Sequence, residues 1–183
     1  MIILSLDCCE REEGADRMKD LKVTIYDDAK DILKSGNFRG TRLCMQHGTK
    51  SVHEHCVSVA ACSLWLNRRF HMNCYEKDLV RGALLHDYFL YDWHDKGHGH
   101  LHGFFHPAIA LKNAEQEYKL SSREQDIIKK HMWPMTVVPP MCREAWVVTA
   151  ADKYCSLLEI LHVHRGQKGA KINRQVKRLK TVG

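Results

Sequence analysis

Between Leu84 and Pro107 the chain reads LLHDYFLYDWHDKGHGHLHGFFHP, with the adjacent pair His86 and Asp87 closing an apolar run and further histidines crowded into a glycine-rich stretch. Two more ionisable groups sit where apolar side chains are expected. His55 shares a stripe with Val59, Cys62 and Leu66, and Asp152 falls between Val148 and Cys155. A lone histidine at such a position is more often a satisfied core residue than a ligand. A buried carboxylate, however, needs an arginine, an array of donors or a metal to offset several kcal/mol of desolvation. Neighbouring helices can bring an imidazole or a carboxylate each to one centre, and a carboxylate with two oxygens can bridge two ions. Mixed nitrogen and oxygen donors suit Mn, Fe, Co or Zn better than Ca or Mg.

The elements that must hold these groups read as helices. RMKDLKVTIYDDAKDILKSG spaces Leu21, Ile25, Ala29, Ile32 and Leu33 on one face and is expected to end at Gly36. TRLCMQHGTK is read as a connection. A helix through VHEHCVSVAACSLWLNRRF follows, with Thr49 or Ser51 as N-cap, and it is apolar on nearly every side. EKDLVRGALLHDYFLY leads into the His/Gly loop, and Pro107 is expected in the first turn of the next helix. SSREQDIIKKHM opens with Ser121 three residues before Glu124, the spacing of a capping box. A last long helix runs through CREAWVVTAADKYCSLLEILHVH, placing His162 and His164 near its end, where a cation complements the dipole. Strand-like alternation is confined to the short TVV at 136–138. The expectation is an all-α fold, a helical bundle with a metal site at its centre.

With 183 residues, 44% of them hydrophobic, the chain can bury one core, and a single domain is expected over 1–164. From Arg165 onward seven basic residues and no acidic one account for much of the net charge of +6. This 165–183 tail is read as solvated, with binding to nucleic acid or to an anionic membrane surface the weaker alternatives. The apolar start MIIL is too short for a signal peptide or a membrane span. No C-x-x-C pair occurs among the eight cysteines, which read as reduced thiols of a cytoplasmic protein.

Taken in order, EHCVSVA, RGALLHDYFLYD, HPAIALKNA, IIKKHM and VVTAADKYCSL resemble the HD superfamily of metal-dependent phosphohydrolases, over about Gln46 to Glu159. The resemblance implies His55, His86, Asp87 and Asp152 as ligands of a first ion. It implies His106 and His131 as the two extra histidines of binuclear members. Helix phase leaves His53 and His55 in competition, and the family's H-x-x-x-V-A pattern selects His55. Many members continue His-Asp with Ile/Leu-Gly-Lys, whereas Tyr88, Phe89 and Leu90 follow here. The Glu-Asp that follows in guanosine tetraphosphate hydrolases is absent too.

The activity so implied is hydrolysis of a phosphomonoester or phosphodiester, in a nucleotide or related small molecule, by metal-activated water. Asp87 would hold one or two divalent transition ions. Asp87 and Lys153 are the catalytic candidates, and His94, Asp95 and Lys153 the candidates for touching substrate. Asp92 is a further guess for acid/base or charge. Arg81 and Lys96 are read first as solvated charges and second as phosphate-steering groups. His98, His100 and His102 either line a glycine-hinged lid or belong to a solvated loop, and His47 has only its proximity to recommend it. Trp65, Trp93, Trp133 and Trp146 read as packing. Two other functions compete: a di-iron oxygenase related to myo-inositol oxygenase, on the same ligand set, and a non-catalytic module that binds a nucleotide or a protein partner.

Overall fold

Ser51, not Thr49, begins the helix that carries the first histidines. Its hydroxyl accepts from the Glu54 N–H at 3.3 Å, and the Glu54 carboxylate accepts from the Ser51 N–H at 3.0 Å. Ser121 and Glu124 repeat this reciprocal cap, at 3.2 and 2.7 Å. Each cap satisfies N–H groups that a helix start would otherwise leave orphaned, an effect of about 1 kcal/mol. The computed structural model describes residues 11–47, 50–90 and 102–180.

In chain order the helices are α1 (Arg11–Asp28), α2 (Lys30–Lys34), α3 (Gly36–Gly40), α4 (Val52–Arg69), α5 (Glu76–Leu85), α6 (His102–Glu117), α7 (Ser122–Lys130) and α8 (Arg143–Lys180). A 3-10 turn at Thr41–Leu43 precedes a small antiparallel ladder of β1 (Met45–His47) and β2 (Lys50–Ser51). Among the described residues the fold is all-α apart from this ladder, and the TVV at 136–138 lies in the irregular connection between α7 and α8.

Several boundaries differ from the sequence expectation. The first helix bends at Ala29 (φ −132°, ψ 29°) while keeping Ala29 N–H on Ile25 and Leu33 N–H on the Ala29 carbonyl. Leu21, Ile25, Ala29 and Ile32 are thereby all buried. Gly36 does not end the helical run, because Ser35 caps α3 and turns Phe38 into the core. Pro107 lies inside α6 rather than in its first turn, at the site where it removes the donor for the Gly103 carbonyl. Helix α8 continues to Lys180, so His162 and His164 are not at its end and the dipole argument for them does not hold.

α4 packs against α5 and α8, and α7 packs against α5, α6 and α8. Between them lie Val59, Leu64, Leu79, Leu84, Ile127, Ile128, Val148 and Ala151, all buried. One glycine sets a close approach. A Cβ on Gly82 of α5 would stand 3.0 Å from Ile127 Cβ and 3.1 Å from its Cγ2 on α7, tighter than ordinary packing allows. Among the described residues no helix is long and apolar enough to cross a membrane.

Candidate metal centre

Five helices deliver side chains to one buried place. His55 comes from the first turns of α4, His86 caps α5 with Asp87 directly after it, His106 lies on α6, His131 caps α7, and Asp152 lies on α8. All six are buried. The helix ends at His86 and His131 matter, because a side chain leaving the last turn can point across the bundle.

His55 Nε2 is 3.1 Å from Asp152 Oδ1 and 4.0 Å from Asp87 Oδ2. His86 Nε2 stands 3.5 Å from Asp87 Oδ2 and 3.7 Å from Asp152 Oδ1. The other Asp87 oxygen faces His106 Nε2 at 3.1 Å and His131 Nε2 at 3.5 Å. Asp87 therefore presents one oxygen to each half of the cluster. His106 and His131 bring their Nε2 atoms within 2.8 Å of each other.

Ring orientation is set by the opposite nitrogens. His86 Nδ1 donates to the Ala83 carbonyl at 2.7 Å and His131 Nδ1 to the Ile128 carbonyl at 2.9 Å. With those protons committed, each Nε2 is the nitrogen turned inward. His86 Nε2 is fully buried yet makes no hydrogen bond among the described residues.

Burial works against charge at His55, His86, Asp87, His131 and Asp152, and neighbouring charges override it at all of these but His131. Burial would lower His55, but the Asp152 and Glu159 carboxylates raise it to about 10. His86 is likewise lowered by burial but carried well above its ordinary value, chiefly by Asp87. Burial would raise Asp87, but His86 and His106 hold it well below the usual carboxylate range; at Asp152, His55 and His86 do the same. His131 goes down, because burial and the neighbouring imidazoles outweigh Asp87. The cluster thus favours positive charge between its two carboxylates.

Two overlapping groups could hold a metal ion: His55, His86 and Asp152, and His86, Asp87 and His131. The donor set fits a divalent ion. A fully buried imidazole nitrogen without a hydrogen bond faces two carboxylates, and His106 and His131, hydrogen-bonded to each other through Nε2 at 2.8 Å, stand against the far oxygen of Asp87.

Residues 52–157, more than half of the chain, match the family described as the HD domain. The chain belongs to the HD-domain family. No curated protein and no solved structure matches it. The span matched to the HD domain runs across all six convergent residues, from His55 to Asp152, and stops short of Glu159.

The remaining candidates of this HD domain fall into three groups. Lys153 is near the centre, its Nζ donating to the His131 carbonyl at 3.1 Å and standing 3.6 Å from Asp152 Oδ2, with the side chain 44% exposed. His53 does not join the cluster, since its ring packs on Phe38 with centroids 5.0 Å apart. Arg81 corrects both expectations held for it. It is neither solvated nor at the centre, being buried with Nε 2.7 Å from Glu124 and Nη1 2.6 Å from Asp31. Trp133 and Trp146 pack edge to face at 4.9 Å, and Trp65 against Phe70 at 6.1 Å. Asp92, Trp93, His94, Asp95, Lys96, His98 and His100 lie outside the described residues, as does the side chain of His102.

Glu159 is the residue that sequence reasoning passed over. It is buried on α8, and its Oε2 takes His55 Nδ1 at 3.2 Å. Its position seven residues after Asp152 puts both on one helix face, a signal that was available but weak.

Proposed function

We propose that this HD domain is a metal-dependent phosphohydrolase acting on a phosphomonoester or phosphodiester of a nucleotide or related small molecule. The observation that carries the reading is the convergence of four imidazoles and two carboxylates from five helices, within a match to the HD domain. His55, His86, Asp87 and Asp152 would hold one divalent ion, and Asp87, His106 and His131 a second with His86 also in reach of it, drawn from Mn, Fe, Co or Zn. When bound, such ions supply Lewis acidity, easing both the ionisation of water and the charge that builds on phosphoryl oxygens.

The chain's own residues do the rest. Asp87 keeps its two oxygens ionised and directed to opposite halves of the cluster. The backbone carbonyls of Ala83 and Ile128 fix the rings of His86 and His131. Lys153 holds a cation at the partly exposed rim beside His131, where it can meet a substrate phosphate without entering the cluster. The same reading places the protein in a reducing cytoplasm, where its cysteines stay thiols.

The test is phosphate release across nucleotides and small phosphomonoesters and diesters, with Mn²⁺, Co²⁺ or Fe²⁺ supplied, beside Asp87→Ala. Release lost in that variant supports the hydrolase and names its substrate class. A metal-loaded protein that releases no phosphate but consumes oxygen is an oxygenase instead, and one that does neither is a binding module.

A further inference from the structure

We infer that Glu159 is a positioning residue for the centre: its carboxylate is the anionic acceptor that takes the Nδ1 proton of His55, leaving Nε2 as the donor nitrogen turned to Asp152 and Asp87. The inference rests on the metal-centre reading above and goes beyond the six convergent residues. Geometry carries it. Nδ1 lies 3.2 Å from Glu159 Oε2, while Nε2 of the same ring lies 3.1 Å from Asp152 Oδ1.

His86 and His131 each fix Nδ1 on a carbonyl of their own helix. His55 alone of these three has an acceptor from another element, because Glu159 reaches it from α8 across to α4. Glu159 is only 9% exposed, so its charge is held inside the protein, facing this ring. A carboxylate acceptor does two things a carbonyl does less well. It fixes which nitrogen carries the proton, and it makes the opposite nitrogen a stronger electron donor to a cation. Asp152 and Glu159 are two turns apart on one face of α8, so a single helix supplies both a carboxylate in the cluster and the group that orients the histidine facing it. The HD-domain match ends at residue 157, two residues before Glu159.

A purely structural tie between α4 and α8 would lower thermal stability and leave metal affinity of the folded protein unchanged. The full chain, stripped with chelator, is therefore titrated with Co²⁺ against a competing fluorescent chelator, and its visible absorption is recorded, for wild type, Glu159→Gln and Glu159→Ala. Circular dichroism reports folding. Glu159→Ala is expected to bind about 10–100-fold more weakly with an altered Co²⁺ spectrum. Glu159→Gln, which keeps an acceptor but loses the charge, is expected to recover part of that loss. Wild-type affinity and spectrum in Glu159→Ala would overturn the positioning role while leaving the metal centre intact. Should the alanine variant fail to fold, wild-type affinity in Glu159→Gln overturns the anionic role in the same way. Failure of the wild-type protein itself to take up Co²⁺, Mn²⁺ or Zn²⁺ overturns the metal reading, and this inference with it.

Discussion

His86 and His131 cross almost at right angles, with ring centroids 4.9 Å apart and an interplanar angle of 82°, each anchored through Nδ1 to a carbonyl three residues earlier. The two are nevertheless unequal. His86 belongs to both groups that could hold an ion, and His131 to one. His86→Ala should therefore remove metal from both positions, whereas His131→Ala should retain about one ion of two. Elemental analysis after dialysis against Mn²⁺ reads the difference. Equal stoichiometry in the two variants would show that the cluster does not divide as described.

The same pair depends on Gly82 and Ile127, each one turn before its histidine. A methyl at Gly82 would meet the Ile127 side chain on three atoms, so α5 and α7 would have to separate. Alanine gains about 1 kcal/mol of helix propensity over glycine, against about 1–3 kcal/mol for overpacking a core. Gly82→Ala is thus expected to be destabilising by up to about 2 kcal/mol, because the contacts fall on the Ile127 Cβ and Cγ2 as well as on the flexible end of its side chain. It should also weaken metal binding, since the helix ends that present His86 and His131 move apart. Urea unfolding and a Mn²⁺ titration measure the two effects separately.

What could be read from the sequence follows from what a sequence pattern encodes. His55, Asp87 and Asp152 stood out because ionisable groups broke apolar stripes, and the resemblance to the HD superfamily added His106 and His131 in order. The structure brings all of these to one place. His53 and His55 could not be separated by periodicity, because α4 is apolar around most of its circumference, and the packing of Phe38 on His53 is a tertiary fact. Glu159 looked like any polar residue on a long helix. Its meaning depends on a ring from α4, distant in sequence. The bend at Ala29 was hidden for a related reason: the apolar spacing runs unbroken through it, and the backbone bends to bury that face against the core.

Arg81 reads from the sequence as a solvated charge because arginine is mostly exposed and nothing near it in the chain marks its partners. Its two carboxylate partners come from α2 and α7, and Glu124 also caps α7. Removing the guanidinium would leave Glu124, whose side chain is only 3% exposed, without its counter-charge. Breaking such a buried pair costs about 3–5 kcal/mol. Arg81→Ala should lower stability by about that amount, with no change in the KM of whatever phosphate ester the protein turns over. A raised KM at unchanged stability would return Arg81 to the substrate.

The cluster also makes a prediction for pH. Burial disfavours a charged His55, but Asp152 and Glu159 raise it from 6.5 to about 10, so the fold binds this proton more tightly than the unfolded chain does. The stability that follows is fully present below about pH 6.5 and is lost as pH rises through about 10. Chelator-treated protein should accordingly unfold at lower urea concentration as pH rises from about 7 to 10, a slope set by linkage to His55 and to His86, which is raised in the same direction. His55→Gln should make it shallower. Divalent metal reverses the trend over the same window, because proton and ion compete for the imidazole and affinity grows as the proton leaves. Urea midpoints of metal-free and Mn²⁺-loaded protein that move in parallel with pH would show that the ion does not replace the His55 proton.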